Sequence, residues 1–239
     1  MKLTVFGRCG PFPRANEACS GYLVSAGGTN LLMDCGPGTL SRLRTTLTLP
    51  ALDAVVLSHL HYDHCADMAV MRYALEQTSC APLPVFCPAE PAEAHLMFDS
   101  PVFDIHPLRE GLQVSVGALS LSFYEMKHPI PTFGLCVQDA ESSLFYTGDT
   151  GWFDELVTLV QGADALLCDC CFTDADADKP EVHLSARQAG KLAMQAAVKT
   201  LYCTHVWGGA SDDEALKREV GFVPAVVVQE MSSYMLSSK

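Results

Sequence analysis

Within the ten residues Ser58 to Asp67, Ser-His-Leu-His-Tyr-Asp-His-Cys-Ala-Asp, stand three histidines and two aspartates. Imidazole and carboxylate are the side chains that hold divalent metal ions, and each is costly to bury without a partner. None builds a core well, so a purely structural role does not account for the cluster. His59 and His61 alternate, which on an extended backbone puts both on one face, whereas a turn at Asp63 and His64 aims those two elsewhere. Four donors in six residues, His59, His61, Asp63 and His64, point to two adjacent metals rather than one. Ions so held acidify a water and polarise a bond to be cut.

The elements around the cluster must hold it in place. Leu52 to Leu57 is apolar and valine-rich and reads as a buried strand, while Met68, Met71, Arg72 and Leu75 recur at helical spacing, so the cluster sits at a strand-to-helix junction. Upstream, Leu3 to Phe6 and Gly21 to Val24 read as strands, separated by the loop Gly7 to Ser20 with its turn residues Gly10, Pro11 and Pro13. Asn30 to Met33 is another strand, ending in Asp34-Cys-Gly-Pro-Gly. Downstream, Pro82 to Cys87 reads as a strand and Pro91 to Phe98 as a short helix, and a hairpin of Leu112 to Val116 and Leu119 to Lys127 around Gly117 delivers His128. Ser143 to Thr147 reads as a strand ending at Gly148-Asp149, Phe153 to Gly162 as an amphipathic helix, and Ala165 to Cys168 as a buried strand. Ser185 and Gln188 form a capping box opening a helix through Val198, and Leu201 to Thr204 is a strand presenting His205. Ser211 with Glu214 caps a last helix ending near Gly221, and Ala225 to Gln229 is a final strand. The order of strand, turn, helix and buried strand in Leu31 to Ser58 returns after Ser143, as in a fold of two related halves.

The pattern His-x-His-x-Asp-His after an apolar strand is the hallmark of the metallo-β-lactamase superfamily, which the chain resembles over nearly its whole length. His128-Pro-Ile-Pro-Thr-Phe-Gly134, Tyr146-Thr-Gly-Asp-Thr150, His183-Leu-Ser185 and Cys203-Thr-His205 are similar, in the same order, to later motifs of its ribonuclease Z branch. The resemblance implies an α/β fold, a four-layer αββα sandwich with two facing mixed sheets, outer helices and the ligands on loops at one edge. It also implies a first metal on His59, His61 and His128, a second on Asp63, His64 and His205, and Asp149 bridging both, with Asp34 orienting the site from behind the ligands. The donor types suit zinc, with manganese or iron as alternatives. By the same resemblance His183 hydrogen-bonds a phosphate oxygen or protonates the leaving group, and Asp169 orients it; Asp63 also takes a proton from the attacking water.

Composition sets bounds. At 239 residues and 49% hydrophobic the chain can bury a sizeable core, and no Pro/Gly/Ser-rich linker divides it, so one domain over 1–239 is expected. The first residues hold no apolar run long enough for a signal peptide, and nothing approaches a membrane span; a cytoplasmic protein without membrane contact is expected. The eleven cysteines follow no regular framework and suit small buried hydrophobes in a reducing compartment; an additional zinc site on Cys168, Cys170 or Cys171 is the alternative. A formal charge of −13 argues against gripping an extended nucleic acid through many phosphates. Arg14 reads as a solvated loop arginine, and Thr173 to Lys179, with three aspartates, as a solvated loop lacking the pattern of an EF-hand.

The expected activity is therefore hydrolysis of a small anionic ester by a metal-bridging hydroxide, first of all a nucleotide-like or cyclic phosphodiester. Ribonuclease Z carries a long arm that grips tRNA, yet only 20 residues separate His128 from Asp149 and no basic Gly/Pro-rich insertion occurs. An armless tRNA 3′-end endonuclease is thus an alternative, as is a thioester, lactone or sulfate ester hydrolase. No Gly-x-Ser-x-Gly elbow or phosphate-cradling loop with a lysine supports a serine hydrolase or P-loop enzyme. A homodimer is expected only from the resemblance.

Overall fold

In the computed structural model, which describes residues 1–78, 80–173, 176, 181–209, 212–222 and 224–236, two seven-stranded sheets lie face to face. The first runs Ser233–Met235, Lys2–Gly7, Gly21–Ala26, Thr29–Met33, Ala54–Val56, Leu83–Cys87 and Phe103–Pro107. The second runs Gln113–Val116, Leu119–Glu125, Phe133–Gln138, Ser143–Tyr146, Ala165–Asp169, Thr200–Thr204 and Ala225–Val227. In each sheet the first four strands pair antiparallel and the last four parallel. This shared order is the internal repeat that the sequence hinted at.

The layers follow from side-chain alternation. Along Thr29–Met33, Leu31 and Met33 join the core between the sheets, where they meet Phe123, Leu135, Val137, Leu144 and Leu167 from the facing sheet. Leu32 points the other way, into a core shared with Leu43 of the helix Thr39–Thr46 and Met71 and Leu75 of the helix Met68–Glu76. On the opposite flank, Phe145, Leu166 and Leu201 pack against Leu192 of the helix Ala186–Gln195 and Leu216 of the helix Asp213–Val220. Burial on both faces explains why these strands read as continuous apolar runs. Each fully buried Leu or Phe contributes on the order of 2 kcal/mol, so three cores hold the frame rigid around its polar edge.

Several boundaries differ from expectation. The helix read over Phe153 to Gly162 is confined to Leu156–Val160. The last helix is capped by Asp212, whose carboxylate accepts from Glu214 N at 2.9 Å, and closes at Gly221 with φ 60°; Ser211 lies outside the described residues. The capping box forms as read: Ser185 Oγ accepts from Gln188 N at 3.3 Å and Gln188 Oε1 from Ser185 N at 2.9 Å. Of the acidic stretch 173–179 only Thr173 and Asp176 are among the described residues, and Asp176 accepts from Thr173 N at 2.6 Å. Among the described residues no helix is long and apolar enough to cross a membrane.

Candidate metal centre

Ala54–Val56 delivers Ser58 to His61 in extended conformation, and the backbone then closes into the short helix Tyr62–Cys65. Asp63 and His64 therefore sit on a helical turn rather than a loop, with the His64 ring against that of His59, centroids 4.1 Å apart. His59 Nε2 and His61 Nδ1 lie 3.0 Å apart, and His128 Nε2 lies 3.1 Å from the same His61 nitrogen. One donor atom each from His59, His61, His128 and Asp149 falls within 4.8 Å of the others, as do donors from Asp63, His64, Asp149 and His205. Asp149 belongs to both sets, its Oδ1 3.2 Å from His64 Nε2 and its Oδ2 3.6 Å from His59 Nε2 and 3.3 Å from His205 Nε2.

This donor set fits a pair of cations. His64 Nε2 and Asp149 Oδ1 are fully buried and hydrogen-bonded to nothing, so each faces the space where an ion would sit. Outside that space His64 and His128 are braced. Asp34 takes hydrogen bonds from His64 Nδ1 (2.7 Å), Ser58 N (2.7 Å), Ser58 Oγ (3.0 Å) and Tyr146 OH (2.6 Å), which fixes the His64 ring with Nε2 inward. His128 Nδ1 donates to the Val182 carbonyl at 3.1 Å, leaving Nε2 for the cluster. Asp34 and His205 hold left-handed backbone, φ 59° and 52°, uncommon for residues other than glycine and characteristic of functional positions.

The loop after the first strand closes the wall. Its Cys9–Gly10 pairs parallel with Val206–Trp207, directly after His205, and a Cβ on Gly10 would lie 1.9 Å from His205 Nε2. Arg14 is not solvated as expected: it faces Asp213 at 3.6 Å and donates to the Trp207 carbonyl at 3.3 Å. Loop and helix thus compete successfully with water for this guanidinium. Pro11, Tyr62, Pro129 and Val182 complete, with the ligands and His183, a cleft of about 310 Å³. His183 Nδ1 meets Asp169 Oδ2 at 2.9 Å, and its ring stacks on His205 with centroids 5.0 Å apart. Asp169 also faces His205 Nδ1 at 3.7 Å.

Electrostatics here is a contest between burial and charge. Burial opposes protonation of His64, but Asp149, Asp63 and Asp34 prevail and push its pKa up to about 10. His205 is likewise raised against its burial by Asp149, Asp169 and Asp63. Burial, with His64 beside it, holds His59 down, and burial holds His61 and His128 down too. Asp149 stays well below the usual carboxylate range despite burial because His205, His64 and His59 surround it. In the metal-free chain protons on His64 and His205 supply the positive charge that divalent ions supply when bound.

The cysteines divide. Cys168 and Cys170 are buried in the helix-side core, whereas Cys171 groups with Asp169, His183 and His205 and so shares a ligand with the second cation set. Sequence reasoning passed over Ser58, Tyr146 and Gly10; for the first two the only cue was adjacency to His59 and Thr147-Gly-Asp, and the role of Gly10 emerges only in three dimensions.

Fold and site together define a metal-dependent hydrolase of the metallo-β-lactamase superfamily, and the chain belongs to that superfamily: residues 29–206 match the family described as the Beta-lactamase superfamily domain. It is YhfI-like. The probable metallo-hydrolase YhfI of Bacillus subtilis is 33% identical over 216 residues, covering 86% of this chain and 87% of that protein. The crystal structure of the YhfI metallo-β-lactamase fold protein superposes with a TM-score of 0.92 at 28% identity, covering 98% of this chain and 99% of that one. An uncharacterized protein of Mycobacterium tuberculosis is 35% identical over 250 residues (96% and 91% coverage), and a ribonuclease Z of Methanopyrus kandleri 25% over 274 residues (99% and 97%).

Proposed function

We propose that the chain is a phosphodiesterase acting on a small nucleotide-like or cyclic phosphodiester, with two zinc ions as its resident metals. The observation that carries this reading is His183: a histidine outside both cation sets, held by Asp169, and lining the same cleft as the donor atoms. A phosphodiester needs a group of this kind twice, to hold a non-bridging oxygen and to protonate the departing alkoxide, whereas a thioester or lactone makes weaker demands on either. Similarity to a ribonuclease Z supports the bond type.

Divalent ions in the two donor sets supply Lewis acidity and an acidified water. The chain's own groups do the remainder. Asp63, 3.3 Å from His205 Nε2 and 3.5 Å from His64 Nε2, takes the proton of the attacking water as the new P–O bond forms. His183, with Nδ1 committed to Asp169, presents Nε2 to the cleft and protonates the ester oxygen as the old P–O bond breaks; the carboxylate fixes the orientation of the ring. Pro11, Tyr62 and Pro129 exclude bulk water from one side.

Cleft size supports a small substrate. The residues between His128 and Asp149 build the strands Phe133–Gln138 and Ser143–Tyr146 rather than an arm, and the charge of −13 offers no track for tRNA. All eleven cysteines are free, which supports a reducing, cytoplasmic setting.

The test is hydrolysis of bis-p-nitrophenyl phosphate by metal-analysed protein and its His183→Ala variant. Activity that follows metal content is expected, with a loss of about 10²-fold or more in the variant on an alkyl phosphodiester, whose alkoxide, unlike p-nitrophenolate, needs a proton to leave. Fully metallated protein that leaves the diester intact but cleaves a thioester or lactone would overturn the reading.

A further inference from the structure

His183 also lines a second, larger cavity of about 500 Å³, whose other described walls are Lys127, Trp152, Phe172, Glu181, Ser185 and Gln188. The hydrolytic chemistry above uses none of these six. The cavity has the volume of a small-molecule site and opens beside the one side chain it shares with the metal cleft. A ligand with its phosphate over the cation sets would therefore place its next group here.

The aromatic walls are held before any ligand arrives. Lys191 Nζ stands 4.3 Å from the Trp152 ring centroid, and Lys127 Nζ donates to the Trp152 carbonyl at 3.3 Å. The Phe172 ring packs on His183 at 6.0 Å and on Trp207 at 5.6 Å. Two aromatic walls suit a flat ring. Gln188 commits its Oε1 to the helix cap, which leaves its amide N–H groups for other acceptors. The Glu181 carboxylate is exposed and has no partner among the described residues, so it offers an acceptor. A flat ring whose edge carries both donors and acceptors is a nucleobase; a phenyl ring lacks that edge, and a sugar lacks the faces.

We infer that this cavity is the nucleobase subsite of a nucleotide phosphodiester cut at the metal cleft, with Trp152 and Phe172 against the ring and Gln188 and Glu181 reading its edge. The inference rests on the phosphodiesterase reading.

Its test is the affinity of metal-reconstituted protein for the four common nucleoside 5′-monophosphates, phenyl phosphate and ribose 5-phosphate, read by calorimetry. At least one nucleotide is expected to bind about tenfold tighter than ribose 5-phosphate, the scale of one base–aromatic contact. That ratio should collapse in Trp152→Leu. Glu181→Gln, at an exposed position with no structural partner, should change which base binds best. Equal affinities for nucleotides and ribose 5-phosphate, an undiminished ratio in Trp152→Leu with an unchanged base preference in Glu181→Gln, or a preference for phenyl phosphate over every nucleotide would overturn the subsite. Cleavage of bis-p-nitrophenyl phosphate by the same preparation separates the failures: if it is cleaved, the subsite alone falls; if it is not, both readings fall.

Discussion

Asp34 spends its two oxygens on four donors, none of them a metal, and the His64 ring is aimed by this arrangement. In Asp34→Asn the carboxamide cannot accept from all four, and metal affinity should drop about 10- to 100-fold in competition with a chelator. Gly10 acts by absence. In Gly10→Ala the new methyl would occupy the position of His205 Nε2, so the metal content should fall by about one ion per chain while the first set fills normally. His64 makes the metal-free chain sensitive to pH. Its folded pKa of about 10 lies above the ordinary value, so the stabilisation is complete below about pH 6.5 and lost as pH rises through about 10. Chelated protein should show a melting temperature that falls between pH 7 and 10, whereas a flat profile would mean that His64 is not charged in the folded state. The ligand types were legible at this scale because metal-binding side chains are chemically distinctive. Ser58 and Tyr146 were not, since a hydroxyl in a strand signals nothing until its partner across 112 residues, as for Tyr146 and Asp34, is known.

At the scale of elements, the loop of residues 8–20 is held by charge. Arg8, 4% exposed, reaches Asp213 at 2.7 Å in the last helix, Glu17 at 3.3 Å and the Val228 carbonyl at 3.0 Å, while Arg42 holds Glu230 at 2.5 Å. The grouping of Cys9, Glu17 and Glu230 is thus already supplied with cations by two guanidinium groups. Arg8→Met would leave Glu17 and Asp213 half-buried without their shared cation, and should cost about 2 to 4 kcal/mol in denaturant unfolding. Because this loop carries Gly10 and Pro11, the metal cleft should loosen with it. The inner strands were readable from apolar runs, since both faces are buried. The edge strands Phe103–Pro107 and Ser233–Met235 were not: one bears Asp104, His106 and Pro107, the other exposed Ser233 and Met235, so neither shows a clean period. The helix Thr39–Thr46 was read only by its place between two strands and not by its bounds, its Ser, Thr and Arg content concealing the three buried positions Thr39, Leu40 and Leu43.

For the whole molecule, two sheets of the same strand order place Asp34 and Asp149 at matching points, each just beyond the fourth strand of its sheet. One aspartate braces a ligand and the other joins both donor sets, so the two halves meet at the metal centre. Removing the metals should therefore weaken the whole fold: two buried carboxylates, Asp63 and Asp149, would be left to histidine protons alone. Asp149 joins the two cation sets, and everything else in the site depends on it. The most direct measurement is anomalous diffraction at the metal edge from crystals of the reconstituted chain. Two peaks are predicted, one among His59, His61 and His128 and one among Asp63, His64 and His205, both in contact with Asp149. A single peak, or a second one seated on Asp169, Cys171 and His183, would contradict it.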